Sequence, residues 1–252
     1  MKLIWYGTAS IVLESRGKRI LIDPFVPLKR SKVKTRLTDY LGYRDILVTH
    51  GHFDHISDIP ALAERAPKAK IYCTKTPCET LVKEGVPRHN IRLIRAGESF
   101  TVNGFYVRTY QSRHADLEVA GDVVFSGRLF KYAVGLPSLL NKHLSFNENG
   151  ETLMFEILAD DKRLLILGSM NLADNVKYPE SCDVLVLPYV GYKDNLKQAE
   201  MIISRLNPKK VILDHWDDTF PPLTSTVDTS DIESRYDDIE VIKPEYKKPI
   251  EL

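Results

Sequence analysis

The stretch from Thr49 to His55, T-H-G-H-F-D-H, constrains this chain more than any other. Within six positions it places His50, His52, Asp54 and His55, three imidazoles and one carboxylate. The preceding Asp45-Ile46-Leu47-Val48 is a short apolar run with β-branched residues and reads as a buried strand. Ser57-Asp58-Ile59-Pro60 then leads into Ala61-Leu62-Ala63-Glu64-Arg65, a helix start with proline in its first turn. The cluster therefore falls on a turn from the carboxyl end of a strand into a helix. Residues i and i+2 of an extended turn point the same way, so His50 and His52 can share one ion while Asp54 and His55 face a second position. Neutral imidazoles with a carboxylate suit zinc, iron or manganese. The bland alternative is a histidine-rich surface loop. Three of the chain's seven histidines within six positions, at a strand end, count against it.

Length and composition narrow the rest. A chain of 252 residues with 43% hydrophobic side chains can bury a substantial core. Thirty-five Lys and Arg against 34 Asp and Glu leave a net charge of +1, without the basic excess of a general nucleic-acid binder. The N-terminus has no long apolar segment of the secretory kind, and no apolar run approaches the length of a membrane span. Cys73, Cys78 and Cys182 are odd in number and lack C-x-x-C spacing, so they read as reduced thiols of a cytoplasmic protein, with Cys73 and Cys182, beside strand-like runs, as core fillers.

Taken in order, residues 2–6, 10–14 and 19–23 read as strands, the third ending in Asp23-Pro24. A basic run follows, with Lys29, Arg30, Lys32, Lys34 and Arg36 and no acid among them. It reads as a solvated loop or as a rim that attracts an anionic substrate. Beyond the histidine motif, helices over 61–66 and 77–84 alternate with strands over 70–73, 91–94 and 105–111. His114 stands in the loop after the last of these. Residues 117–149 hold apolar and basic side chains in no clear period, and read as a surface excursion with its own small core or as an insertion serving as a lid or pocket wall. Strands over 152–158 and 163–167 flank an Asp160-Asp161 turn. A strand over 183–187, a helix over 196–206 and a strand over 210–213 run into Asp214-His215-Trp216-Asp217-Asp218-Thr219-Phe220-Pro221. The charged residues from Val227 onward read as peripheral.

The motif resembles the metallo-β-lactamase superfamily, whose H-x-H-x-D-H signature this chain matches at all four ligand positions. The H-W-D-D-T-F-P run resembles the ends of the branch that holds ascorbate-6-phosphate lactonase and related metal-dependent hydrolases. The resemblance implies an α/β (α+β) fold, a four-layer αββα sandwich with two mixed sheets face to face. Periodicity alone shows only mixed α and β. It implies a single domain over residues 1–252, with the site at one edge of the sheets. It supplies His114 as the third imidazole beside His50 and His52, and His215 as the last ligand beside Asp54 and His55. It places Asp23 near the metals, where its carboxylate can orient a ligand histidine; a turn acid before proline is the plain alternative.

One position departs from the pattern. Leu164-Leu165-Ile166-Leu167-Gly168 matches the strand and glycine that in this family precede a metal-bridging aspartate, yet Ser169 stands at that place. A serine hydroxyl is a far poorer ligand for a divalent cation than a carboxylate. Asn171 and Asp174 are the candidates to replace it.

The function implied is a metal-dependent hydrolase acting on a small ester, lactone or phosphodiester, with Lys29 and Arg30 favouring an anionic group. Asp54 and His215 are the catalytic candidates, and the cofactor is one or two divalent ions, with zinc ahead of manganese and iron. The expected partner is a small molecule rather than nucleic acid or membrane, and a homo-oligomer is left open. The rival reading is a non-catalytic metal-dependent sensor or binding relative, motivated by Ser169.

Overall fold

The computed structural model describes residues 1–28, 30–114, 146, 149–190, 194–218 and 225–252. Its strands run β1 (Lys2–Trp5), β2 (Ile11–Ser15), β3 (Lys18–Ile22), β4 (Asp45–Leu47), β5 (Lys70–Cys73), β6 (Ile91–Leu93) and β7 (Ser99–Val102). They continue with β8 (Phe105–Gln111), β9 (Leu153–Ala159), β10 (Lys162–Leu167), β11 (Val184–Pro188), β12 (Lys210–Asp214), β13 (Glu240–Ile242) and β14 (Pro249–Glu251). Among the described residues these form two seven-stranded sheets, in the orders β14-β1-β2-β3-β4-β5-β6 and β13-β12-β11-β10-β9-β8-β7.

Strand alternation builds the layers. Ile20 and Ile22 of β3, and Leu164 and Ile166 of β10, point into one shared core between the sheets, with Phe105 and Phe155. Leu21 faces outward onto α1 (Phe53–Ile56), α2 (Ile59–Arg65) and α3 (Lys75–Lys83), meeting Ile56, Ile59, Leu62 and Leu81. Leu165 and Leu167 face the opposite side, where α4 (Asn195–Leu206) presents Ala199, Ile202, Ile203 and Leu206. Residues two apart share a face in a strand, and residues three to four apart share one in a helix, so each element buries one stripe. Each fully buried Leu, Ile or Phe contributes about 1.5–3 kcal/mol, which makes the layer between the sheets the main source of cohesion. The result is the four-layer αββα sandwich.

Both sheets are mixed. β1, β2 and β3 are antiparallel and β3 to β6 parallel; β7 to β10 are antiparallel and β10 to β13 parallel. β8 lies two antiparallel steps from β10 and so runs in its direction. The carboxyl ends of β3, β4, β8, β10 and β12 therefore meet at one edge, where Leu153 N–H donates across the sheets to Thr49 C=O at 3.0 Å. Sites in sheets with parallel strands form outside such carboxyl ends.

The strands and helices read from the sequence are present with ends shifted by one or two residues. Asp160 and Asp161 both take positive φ (51° and 58°), as a two-residue hairpin turn of primed type requires. Three strands escape the pattern: β7, β13 and β14. The tail after Val227 is not peripheral. β13 extends the second sheet alongside β12, and β14 extends the first alongside β1. The 117–149 segment lies outside the described residues except Phe146 and Asn149 at its end; Phe146 packs in the layer beneath the helices. Lys29 and Thr219 to Pro221 also lie outside them. All three cysteines are free and buried, and burial pushes the Cys182 thiol up to about 12, in keeping with core fillers. Among the described residues no helix is long and apolar enough to cross a membrane.

Candidate metal centre

β4 ends beside β3 and β5, and the chain then turns sharply. Thr49 to His52 link β4 to the next helix, with His52 in extended conformation at the N-cap of α1 (φ −69°, ψ 153°). The short helix carries Asp54 and His55 around to the far side of the turn. From the second sheet, β8 delivers His114, and β12 delivers His215 on a residue with φ +59°. Asp23, which ends β3, has φ +46°. Aspartate and histidine tolerate this left-handed region better than branched residues do, and such strain gathers at functional sites.

Two groups of donors result. One ligand atom from each of His50, His52 and His114 lies within 4.8 Å of the others, and the same holds for Asp54, His55 and His215. Among the described residues these are the two groups of His, Cys, Asp or Glu with such spacing. The groups are adjacent, since the His50 and His55 ring centroids are 3.9 Å apart. The first contains only imidazoles and the second a single carboxylate.

Hydrogen bonds set which ring nitrogens face the site. Thr49 Oγ1 donates to Asp23 Oδ2 at 2.5 Å, so its one proton is used and it accepts from His50 Nδ1 at 3.0 Å. His55 Nδ1 donates to the same Asp23 Oδ2 at 2.8 Å. Both rings therefore turn Nε2 lone pairs toward the site. His55 Nε2 lies 3.4 Å from His215 Nε2 and 3.9 Å from Asp54 Oδ2. His50 Nε2 is buried with no hydrogen-bond partner among the described residues. A buried polar atom without a partner costs about 1–3 kcal/mol, and a metal ion is the partner that suits an imidazole lone pair in an all-histidine group. The donor set fits a divalent cation on that observation.

The electrostatics agree. Burial, aided by the neighbouring histidines, holds His50 well below the ordinary imidazole value. Burial brings His215 down to about 4, against the pull of Asp54. Burial also acts to lower His55, but Asp23 and Asp54 outweigh it and the net shift is upward. Burial would raise Asp54; His55, His215 and His52 overcome it and hold the carboxyl below its usual value. At neutral pH His50 and His215 are thus neutral donors and Asp54 is an anion.

The remaining candidates divide. Asp23 is 1% exposed and stands behind His55, also accepting from Thr49 N–H at 2.8 Å, so its carboxylate fixes the His55 ring. Ser169 is buried and follows Gly168, which abuts Thr49. Asn171 is committed elsewhere: its Oδ1 accepts from Leu172 N–H and Gln198 Nε2. Asp174 is exposed and pairs with Arg113 at 3.3 Å. Asp174 stands in neither donor group. Arg30 is exposed on the basic loop. That loop is hooked to the segment after His215, with Ser31 Oγ and Lys32 N–H both donating to Asp218 Oδ1 at 3.0 and 2.9 Å.

Sequence reasoning quoted Thr49, Gly168, Asp217 and Asp218 within its motifs but gave none of them a role. Asp217 Oδ1 accepts from Thr8 N–H at 3.0 Å, bracing the turn that carries His215. These residues act through backbone and contacts from distant segments, so their place in the motifs flagged them without showing what they do.

Comparison with known proteins gives the setting. The family model described as beta-lactamase superfamily domain matches residues 2–215. A "UPF0173 metal-dependent hydrolase" of Pyrobaculum islandicum is 27% identical, over 99% of this chain and 97% of its own length. Among solved structures, the metallo hydrolase Igni18 of Ignicoccus hospitalis is similar with TM-score 0.65 at 19% identity, covering 100% of this chain and 98% of that one. An isothiocyanate hydrolase from Delia radicum gut bacteria is similar with TM-score 0.60 at 19% identity, covering 100% and 99%. At such identities the two structures bear on the fold alone.

Proposed function

The chain belongs to the metallo-β-lactamase superfamily, and from that premise we propose a metal-dependent hydrolase. His50, His52 and His114 hold its principal divalent ion, and Asp54, His55 and His215 form a weaker second position. The observation that carries the reading is the pair of donor groups, with the His50 Nε2 of the first buried and without a hydrogen-bond partner among the described residues. Zinc is the ion best suited to three imidazoles. A divalent ion there brings the pKa of a water toward ~7, so that hydroxide is available at neutral pH.

The chain's own residues do the rest. Asp54, anionic and only 13% exposed, orients the attacking water and accepts its proton. His215 borders the same space, 4.0 Å from Asp54 Oδ2; with the second position filled it would hold the ion that offsets charge developing on the substrate oxygen, and with that position empty its ring N–H would donate to that oxygen instead. Asp23 and Thr49 hold the rings behind them. The substrate class is a small ester, lactone or phosphodiester. The basic loop hooked to Asp218 supports an anionic group on it.

A second reading, a metal-dependent sensor without turnover, draws on the single carboxylate of the second group. Protein purified without chelator, analysed for metal content and assayed on ester, lactone, thioester and phosphodiester panels separates the two. Hydrolysis that disappears with the metal supports the enzyme. Full metal occupancy with no turnover on any panel supports the sensor instead.

A further inference from the structure

We propose that Thr49 is a positioning residue shared by both donor groups, one hydroxyl that fixes His50 directly and His55 through Asp23. This rests on the metal-centre reading above. Thr49 is 1% exposed. Its Oγ1 lies between Asp23 Oδ2 at 2.5 Å and His50 Nδ1 at 3.0 Å. The same Oδ2 receives His55 Nδ1 at 2.8 Å. His50 belongs to the all-imidazole group and His55 to the group with Asp54. The two groups therefore share a support of two side chains, and a change at Thr49 reaches both.

The hydroxyl is itself held from three sides. Thr49 N–H donates to Asp23 Oδ1 at 2.8 Å, and its carbonyl accepts from Leu153 N–H at 3.0 Å. Gly168 closes the third side. A Cβ there would lie 2.6 Å from Thr49 Cβ, 2.9 Å from Thr49 Oγ1 and 2.6 Å from Leu153 C=O. No side chain fits at that distance, so glycine at 168 leaves room for the threonine rotamer that serves the histidines. The support lies where the end of β4 in one sheet meets β9 and β10 of the other.

Valine is close to threonine in shape but offers neither donor nor acceptor. Thr49→Val leaves His50 Nδ1–H without its acceptor and removes one of the donors on Asp23 Oδ2. Hydrogen bonds behind metal ligands typically set affinity by 10–100-fold. Thr49→Val is expected to weaken binding at both groups by about tenfold or more, and Thr49→Ser, which keeps the hydroxyl, to restore most of it. Asp54→Asn should weaken the second group alone. Gly168→Ala, which touches no ligand, should act in the direction of Thr49→Val.

The readouts are zinc affinity by chelator competition and the ¹⁵N shifts of the histidine rings in metal-free protein. In wild type both His50 and His55 should carry the proton on Nδ1, and in Thr49→Val His50 should lose that preference. Wild-type zinc affinity at both groups in Thr49→Val would overturn the proposal. So would a loss confined to the His50 group with the His55 tautomer and affinity unchanged. If wild type binds no metal at all, the hydrolase reading fails, and the ring tautomers still decide the role of Thr49.

Discussion

At the scale of single residues, the non-equivalence of the two donor groups has a consequence for metal content. Two dications about 4 Å apart repel by on the order of 15 kcal/mol at an effective dielectric of 20. Asp54 is the one carboxylate in either group, because Ser169 supplies none and Asn171 and Asp174 are engaged elsewhere. We therefore expect one ion bound tightly and a second loosely. Ser169→Asp should tighten the second by tenfold or more in a calorimetric titration. Two equally tight ions in wild type would refute this account of Ser169. His50→Ala and His52→Ala should each abolish metal retention and turnover, since each removes one of three imidazoles in the principal group. Undiminished metal by elemental analysis in either variant would remove the ligand assignment. Both histidines stood out in the sequence because they are two apart on one turn. Thr49 did not, because a hydroxyl between an aspartate 26 residues away and an adjacent ring has no signature in spacing.

At the scale of elements, the basic loop and the C-terminal strands make separate predictions. Arg30, Lys32, Lys34 and Arg36 are exposed while Ser31, Val33 and Thr35 alternate with them and are buried. The alternation turns the charges outward as a row and anchors the row by Ser31 to Asp218. Replacing Arg30 and Lys32 by Ser should raise KM for a phosphorylated substrate more than for a neutral one. The difference should shrink at high salt, since exposed charges are screened over ~10 Å at 0.1 M. Equal losses on both substrates would mean that the loop acts structurally. For β14, deletion of residues 249–252 removes its pairing with β1, the Leu252 N–H to Met1 C=O bond and the packing of Ile250 on the core between the sheets. A loss of about 2–3 kcal/mol is expected, a fall in Tm of roughly 4–12 °C. An unchanged melting curve would show that β14 adds nothing to the first sheet. Strands of three residues at a sheet edge bury too little on either face to print an alternation, which hid β13 and β14 from sequence reading.

At the scale of the molecule, the donor groups draw on both sheets. His50, His52, Asp54 and His55 follow β4 in one; His114 and His215 follow β8 and β12 in the other. A bound ion is thus a clamp across the sandwich and stabilises the folded state by mass action, about 2.7 kcal/mol when free metal is a hundredfold above Kd. Chelator should lower the Tm of wild type, roughly 2–4 °C for each kcal/mol, and leave His50→Ala unaffected. Equal melting temperatures of wild type with and without chelator would show that no ion is bound to the folded chain in preference to the unfolded one.

The histidine motif, the alternation of strands and the 3.6-residue period of the long helices are local, and each was legible in the order of the residues. A strand end followed by H-x-H-x-D-H carries its geometry within one turn, so four of the six donors could be named with their grouping. The partners that complete and brace those groups come from far along the chain. His114 and His215 become neighbours of the motif only because β8 and β12 end at the same edge as β4. Asp174 and Asn171 looked available as replacements for the missing carboxylate until the packing of α4 and the Arg113 pair engaged them. Glycine at 168 is required because a Cβ there would lie 2.6 Å from Thr49, after β4 of one sheet, and 2.6 Å from Leu153 in β9 of the other, a distance set by how two sheets stack. Sequence order records periodicity and local turns; the contacts between layers, which decide protonation and rotamer at this centre, arise only when the sheets are face to face.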